Sequence, residues 1–154
     1  MNETPSTAQP PPPVPPENGG APAWLKSPWF LLLAAVLTIV PGAIHSFLPD
    51  GGAGVIAGLD VGDRRDLVIG VFRWEGATQL AMGVCMLAVG LRYRPLTPLF
   101  LAAVILERGL MSLQGWVIAP PANGHHPPEH YASPVTVVLA AVFLVLALRV
   151  RRAA

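Results

Sequence analysis

Four apolar stretches parted by short polar connectors, at 29–48, 67–91, 95–118 and 134–148, constrain this chain more than anything else in it. A helix rising about 1.5 Å per residue needs about 20 residues to cross roughly 30 Å of hydrocarbon. The first three stretches meet that length. The fourth is shorter, but Arg149, Arg151 and Arg152 follow it and can snorkel to the interface. Composition agrees: 53% of the 154 residues are hydrophobic and 12% charged, about half the charged share of an ordinary soluble domain, roughly a quarter. The expected fold class is all-α, a four-transmembrane-helix bundle embedded in a lipid bilayer.

Residues 1–23 read as a separate, disordered Pro-rich tail preceding a transmembrane domain at 24–152. Pro5, Pro10 to Pro13, Pro15, Pro16 and Pro22, with Ser, Thr, Asn and Gly between them, offer too little apolar surface to offset the entropy of ordering. The apolar run begins late and shows no convincing cleavage site before Asp50, so the first span is expected to stay attached. The lone Cys85 rules out an intrachain disulfide framework and, inside an apolar run, reads as a buried inert thiol. The few basic residues sit at span ends and build no basic face, so nucleic acid is not an expected partner.

Those basic residues set orientation. Lys26, Arg92, Arg94, Arg149, Arg151 and Arg152 fall on one side of the membrane against Arg64 and Arg65 on the other. Positive charge stays inside, which predicts a multi-pass protein of the cell membrane with both termini cytoplasmic. Trp24 and Trp29 suit interfacial anchors. The outer face then carries Asp50, Asp60, Asp63, Asp66, His125, His126, Glu129 and His130.

Charges within the spans point to function, because an ionised group at membrane depth usually faces a bundle interior. At about 100° per residue, Thr38, Pro41, Gly42 and His45 share a stripe of the first helix. Glu75, Thr78, Gln79, Met82 and Met86 share one on the second helix, with Arg73 on nearly the opposite side. Glu107, Met111 and Gln114 align on the third, Arg108 about a quarter-turn away. The fourth helix offers only Thr136 and reads as scaffold. Glu75 and Arg108 fall at matching depth, on the order of 12 to 15 Å below the outer boundary by helix rise, so an ion pair between them is expected. Its plain reading is a salt bridge that fixes register. The surplus carboxylate supports a functional one, since one Arg cannot compensate two acids. His45, Glu75, Gln79, Glu107, Arg108 and Gln114 are therefore the expected ligand-binding residues.

At the outer mouth, His125, His126, Glu129 and His130 gather imidazoles and a carboxylate of a kind that suits zinc, copper or non-haem iron. Their spacing matches no metal motif, and Pro127 and Pro128 speak against one regular helix through the cluster, so the sequence assigns no metal and a polar lid is the simpler reading. The loop at 51–59, with Val55, Ile56 and Leu59, is a second cover lying at the interface. No glycine-rich nucleotide loop, thiol pair or Ser–His–acid arrangement is present. His45 has no depth-matched second histidine for a bis-histidine haem, so the cofactor is left open.

Four short spans, an outer connection after the first, Phe72-Arg73-Trp74-Glu75-Gly76 in the second helix, Leu91-Arg92-Tyr93-Arg94 at its end and Glu107-Arg108-Gly109 in the third resemble the DoxX-like group of small four-helix membrane proteins. The resemblance covers roughly residues 28 to 150. It implies a hydrophobic-ligand cavity with buried carboxylates, or an accessory role in a membrane oxidoreductase complex, and it assigns no catalytic residue. Three readings stay open: a binding protein or accessory subunit for a lipid, quinone or other apolar small molecule; a small isomerase or oxidoreductase using a buried acid and His45; and an interaction subunit with a membrane protein partner, its charges structural.

Overall fold

A computed structural model of the chain describes residues 26–122 and 124–151; the Pro-rich tail and Trp24 lie outside the described residues. Among the described residues four α-helices make up the fold: α1 (Lys26–Phe47), α2 (Arg65–Leu91), α3 (Thr97–Leu113) and α4 (Pro128–Arg151). Each is long and apolar enough to cross a membrane, counting the short turns that extend α2 and α3. The protein is an all-α, multi-pass membrane bundle.

Helix boundaries follow local chemistry. A single 3₁₀ turn, Gly62–Arg64, leads into α2, with Asp66 in the first helical turn where a carboxylate meets the positive end of the helix dipole. Another, Arg94–Leu96, with Pro95 at its start, leads into α3. α3 ends by loosening into a π-helical turn, Gln114–Ile118. The sequence places the fourth span at Pro134, whereas α4 begins at Pro128. Proline at the first helical position forfeits an N–H that has no helical partner there, so Pro127-Pro128 starts the helix that it was expected to interrupt.

α1 packs chiefly on α2 and α3 on α4, while α1 also touches α3 and α4 and so joins the two pairs. The α1–α2 seam is built on a strict seven-residue repeat of small residues. A Cβ at Gly76, Gly83 or Gly90 would stand 2.8, 3.3 and 3.3 Å from the carbonyl oxygens of Gly42, Ala35 and Pro28 respectively. The glycines advance by seven along α2 as their partners retreat by seven along α1. That antiparallel register brings backbone against backbone, the usual role of small residues between helices in lipid. A seven-residue period also keeps one stripe facing its partner along the seam.

The apolar core lies toward the end of the bundle where α1 starts. Leu31, Ala34 and Ala35 of α1, Met86 and Val89 of α2, Leu101 and Val104 of α3 and Ala140 of α4 are buried together. Phe30 and Phe143 stack there at 4.5 Å with 13° between ring planes. Ser27 Oγ donates to the carbonyl of Phe143, tying α1 to α4. The outer surface is apolar, with Leu33, Val36, Leu37, Val71, Leu106 and Val142 exposed as expected for side chains facing acyl chains. Cys85, expected to be buried, belongs to this outward surface of α2. It follows Val84 on the side away from the glycine stripe.

Candidate functional site

Two cavities adjoin one another, the first beginning against the packed core at Phe30 and Val104 and the second lying toward the end of the bundle where α1 ends. The inner one, about 250 Å³, lies between α1, α3 and α4, with Phe30, Thr38, Val104, Arg108 and Thr136 among its walls. The outer one, about 330 Å³, is bounded by His45, Phe72, Met111 and His130 and roofed by Gly52, Ile56 and Ala57 of the loop after α1. Pro41, Pro128 and Glu129 line both, so the cavities adjoin across these residues. One carboxylate oxygen of Glu129, Oε1, is buried with no hydrogen-bond partner. A buried acceptor left unsatisfied costs about 1–3 kcal/mol, more if charged.

Arg108 is buried in the inner wall. Its Nη2 approaches Thr38 Oγ1 at 3.5 Å and its Nη1 the sulfur of Met111 at 3.8 Å. Thr38 Oγ1 itself donates to the carbonyl of Ala34 at 2.9 Å, which orients its lone pairs for the guanidinium. Arg108 and Glu129 thus present a cation and a carboxylate to the same apolar cavity.

Glu75 lies on the exposed side of α2, where its carboxylate accepts from Gln79 Nε2 at 3.2 Å. Arg108 instead turns toward α1, so the expected Glu75–Arg108 ion pair gives way to two separate hydrogen-bonded pairs. The reason is the packing order. No residue of α2 lines the inner cavity, and Gln79 is spent on the α1–α2 seam, its Cβ against Gly42. Glu107 is half-buried and lies within electrostatic reach of Arg108, Glu75 and Glu129. Gln114, in the π-helical turn, is exposed. Of the expected ligand-binding residues, Arg108 lines the inner cavity and His45 the outer one; Glu75, Gln79, Glu107 and Gln114 line neither.

His45 sits in the last turn of α1. Its Nδ1–H donates to the carbonyl of Gly51 at 2.7 Å, and Phe72 meets its ring edge-on at 4.9 Å. That bond fixes the tautomer, leaving Nε2 of the neutral ring with a free lone pair. The loop it grips is shaped by Asp50, whose carboxylate accepts from the backbone N–H groups of Gly52, Gly54 and Val55 at 2.9, 3.1 and 2.9 Å. These donors, Val55 foremost and then Gly52, hold the Asp50 carboxyl below the ordinary carboxylate range. Gly51 and Gly52 have φ of 61° and 79°, the left-handed conformation this tight turn requires.

The mouth histidines are structured too. His125 Nε2–H donates to the carbonyl of Ala57, joining the two outer loops, and His126 and His130 meet through their Nδ1 atoms. Among the described residues no group of three His, Cys, Asp or Glu converges on a metal position. Sequence reading ranked Glu129 only as a metal candidate and missed its place between the cavities. The available signal was Pro128, which starts α4 and thereby turns the next residue into the first helical turn.

Compared with known proteins, the chain matches no family model, no curated protein and no solved structure.

Proposed function

We propose that this protein binds an apolar small molecule, a lipid, quinone or comparably oily compound, in the two adjoining cavities, with the ligand's polar end at Glu129 and Arg108. The observation that carries the reading is the buried, unpartnered Oε1 of Glu129 at the junction of two largely apolar spaces. A pocket that is mostly apolar with a few convergent polar groups is the usual form of a small-molecule site. The distribution of Lys and Arg supports entry from the non-cytoplasmic face, with both termini in the cytoplasm. Membership in the DoxX-like group belongs to the same proposal and rests on the residues that carry the resemblance.

The test is mass spectrometry of apolar molecules retained after mild detergent purification, comparing the native protein with Glu129→Gln and Arg108→Met. Retention of one compound class by the native protein and its loss in both variants, at thermal stability no lower than native, supports the proposal. Equal retention in all three, or none in the native protein, overturns it.

A second reading has its own support. Arg73 and Glu75 are both exposed on α2, a helix packed chiefly on α1. Charged residues on an outward face suit an interaction subunit whose partner covers α2. Cross-linking through exposed Cys85 would capture that partner; a monomer under all conditions counts against it.

A further inference from the structure

Donors and acceptors are unevenly spread around the outer cavity. His45 Nδ1–H is spent on the carbonyl of Gly51 at 2.7 Å, and among the described residues nothing hydrogen-bonds to Nε2 of that ring. Nε2 is not sealed off either, so the ring, which lines the cavity, has a bare lone pair to offer. A neutral imidazole that carries its proton on one nitrogen can only accept at the other. Glu129 adds a carboxylate, which in its ionised form also only accepts.

The N–H groups of the roof are already used: Gly52 donates to Asp50, and Ile56 and Ala57 donate to the carbonyl of Gly52. Pro41, Pro127 and Pro128 have no N–H to give. Two donors remain in the wall, the first-turn N–H of Glu129, which has no helical partner, and the His130 ring, whose Nδ1 is engaged with His126. Both belong to the start of α4. Toward α1 and the roof the cavity thus presents an acceptor and no donor. We propose, resting on the binding role given above, that the ligand is a hydroxyl-bearing amphiphile whose O–H donates to His45 Nε2 beside Glu129, while its oxygen accepts from the start of α4. A neutral head suits the charges, because Arg108 in the adjoining cavity offsets Glu129. An ether or carbonyl oxygen has no proton to give and leaves Nε2 unmet, and a carboxylate also brings negative charge to Glu129. A site built to hydrogen-bond a hydroxyl discriminates against the analogue that lacks it, which makes His45 the specificity-determining residue.

The experiment places the full chain in phosphatidylcholine nanodiscs, whose lipid carries no O–H or N–H group, at about pH 8, above the ordinary imidazole range. Binding of 1-tetradecanol, its methyl ether and tetradecanoate is measured by mass spectrometry of retained probe, corrected for partition into protein-free discs. The native protein is expected to bind the alcohol about tenfold more tightly than the ether, the order of one hydrogen bond, and tetradecanoate more weakly than the alcohol. His45→Phe, which keeps an aromatic ring beside Phe72, is expected to erase the preference for alcohol over ether. The comparison of probes on the native protein decides by itself if that variant does not fold. Equal binding of alcohol and ether, tighter binding of tetradecanoate, or a preference that persists in folded His45→Phe overturns the proposal and leaves the apolar site standing. Binding of none of the three overturns both.

Discussion

The indole N–H of Trp116 donates to the backbone carbonyl of His130 across 2.8 Å, and this is the carbonyl that Pro134 leaves without a helical partner. A proline inside a helix removes the bond to the residue four positions earlier; here a side chain from the neighbouring helix replaces it. The substitution joins α3 to α4 where the outer cavity closes.

Trp116→Phe should therefore lower thermal stability in detergent by about 0.5–1.5 kcal/mol, the net worth of one hydrogen bond. In a Pro134→Ala background the restored N–H competes for the same carbonyl, and the loss should shrink. A double-mutant cycle measures the coupling; zero coupling would show the two residues act independently.

The glycine repeat of α2 makes a sharper contrast. Gly83→Ala should destabilise by about 1–3 kcal/mol, the usual cost of overpacking, because its Cβ would collide with Ile39 and crowd the carbonyl of Ala35. Gly70→Ala and Gly109→Ala, where nothing stands within 4 Å of an added Cβ, should be neutral or stabilising by up to about 1 kcal/mol. Thermal unfolding of the three variants in one detergent checks the pattern.

Arg108 is a buried cation whose recorded partners are a hydroxyl and a thioether. Taking an ionised side chain out of water costs several kcal/mol per ion, and a hydroxyl at 3.5 Å and a thioether at 3.8 Å offset little of that. Arg108→Met should raise the melting temperature. A marked fall would mean the guanidinium is better compensated than these contacts provide.

Asp50 gives the outer loop a pH dependence. Its folded carboxyl titrates below the ordinary range because Val55, Gly52 and Gly54 donate to the ionised form, so the contribution is fully present above the unfolded value, about 3.9, and is lost as pH falls through the lower folded one. Amide exchange of Gly52 and Val55 should be slow near neutrality and accelerate in Asp50→Ala at the same pH, with His45 losing part of its hold on Gly51.

The spans were legible because hydropathy over about 20 residues is a one-dimensional signal. The site was legible only in part. A helical projection tells which residues share a stripe but not which neighbour that stripe meets, so Glu75 and Arg108, matched in depth, invite a pairing that gives way to Gln79 for one and Thr38 for the other. The Gly76, Gly83, Gly90 repeat was readable as a period of seven and identifies the α1–α2 seam. Glu129 was hidden by its prolines: Pro127 and Pro128 look like a break until the helix is seen to begin on them.

The glycine seam also decides which part of the molecule can breathe. With α1 and α2 packed main chain to main chain, that hairpin is expected to move as one stiff plank, so a molecule entering the proposed site would have to part α3 and α4. Side-chain contacts at Trp116, His126 and His130 hold those two together, so on the proposed reading the far hairpin would be the door and the glycine-laced one its frame.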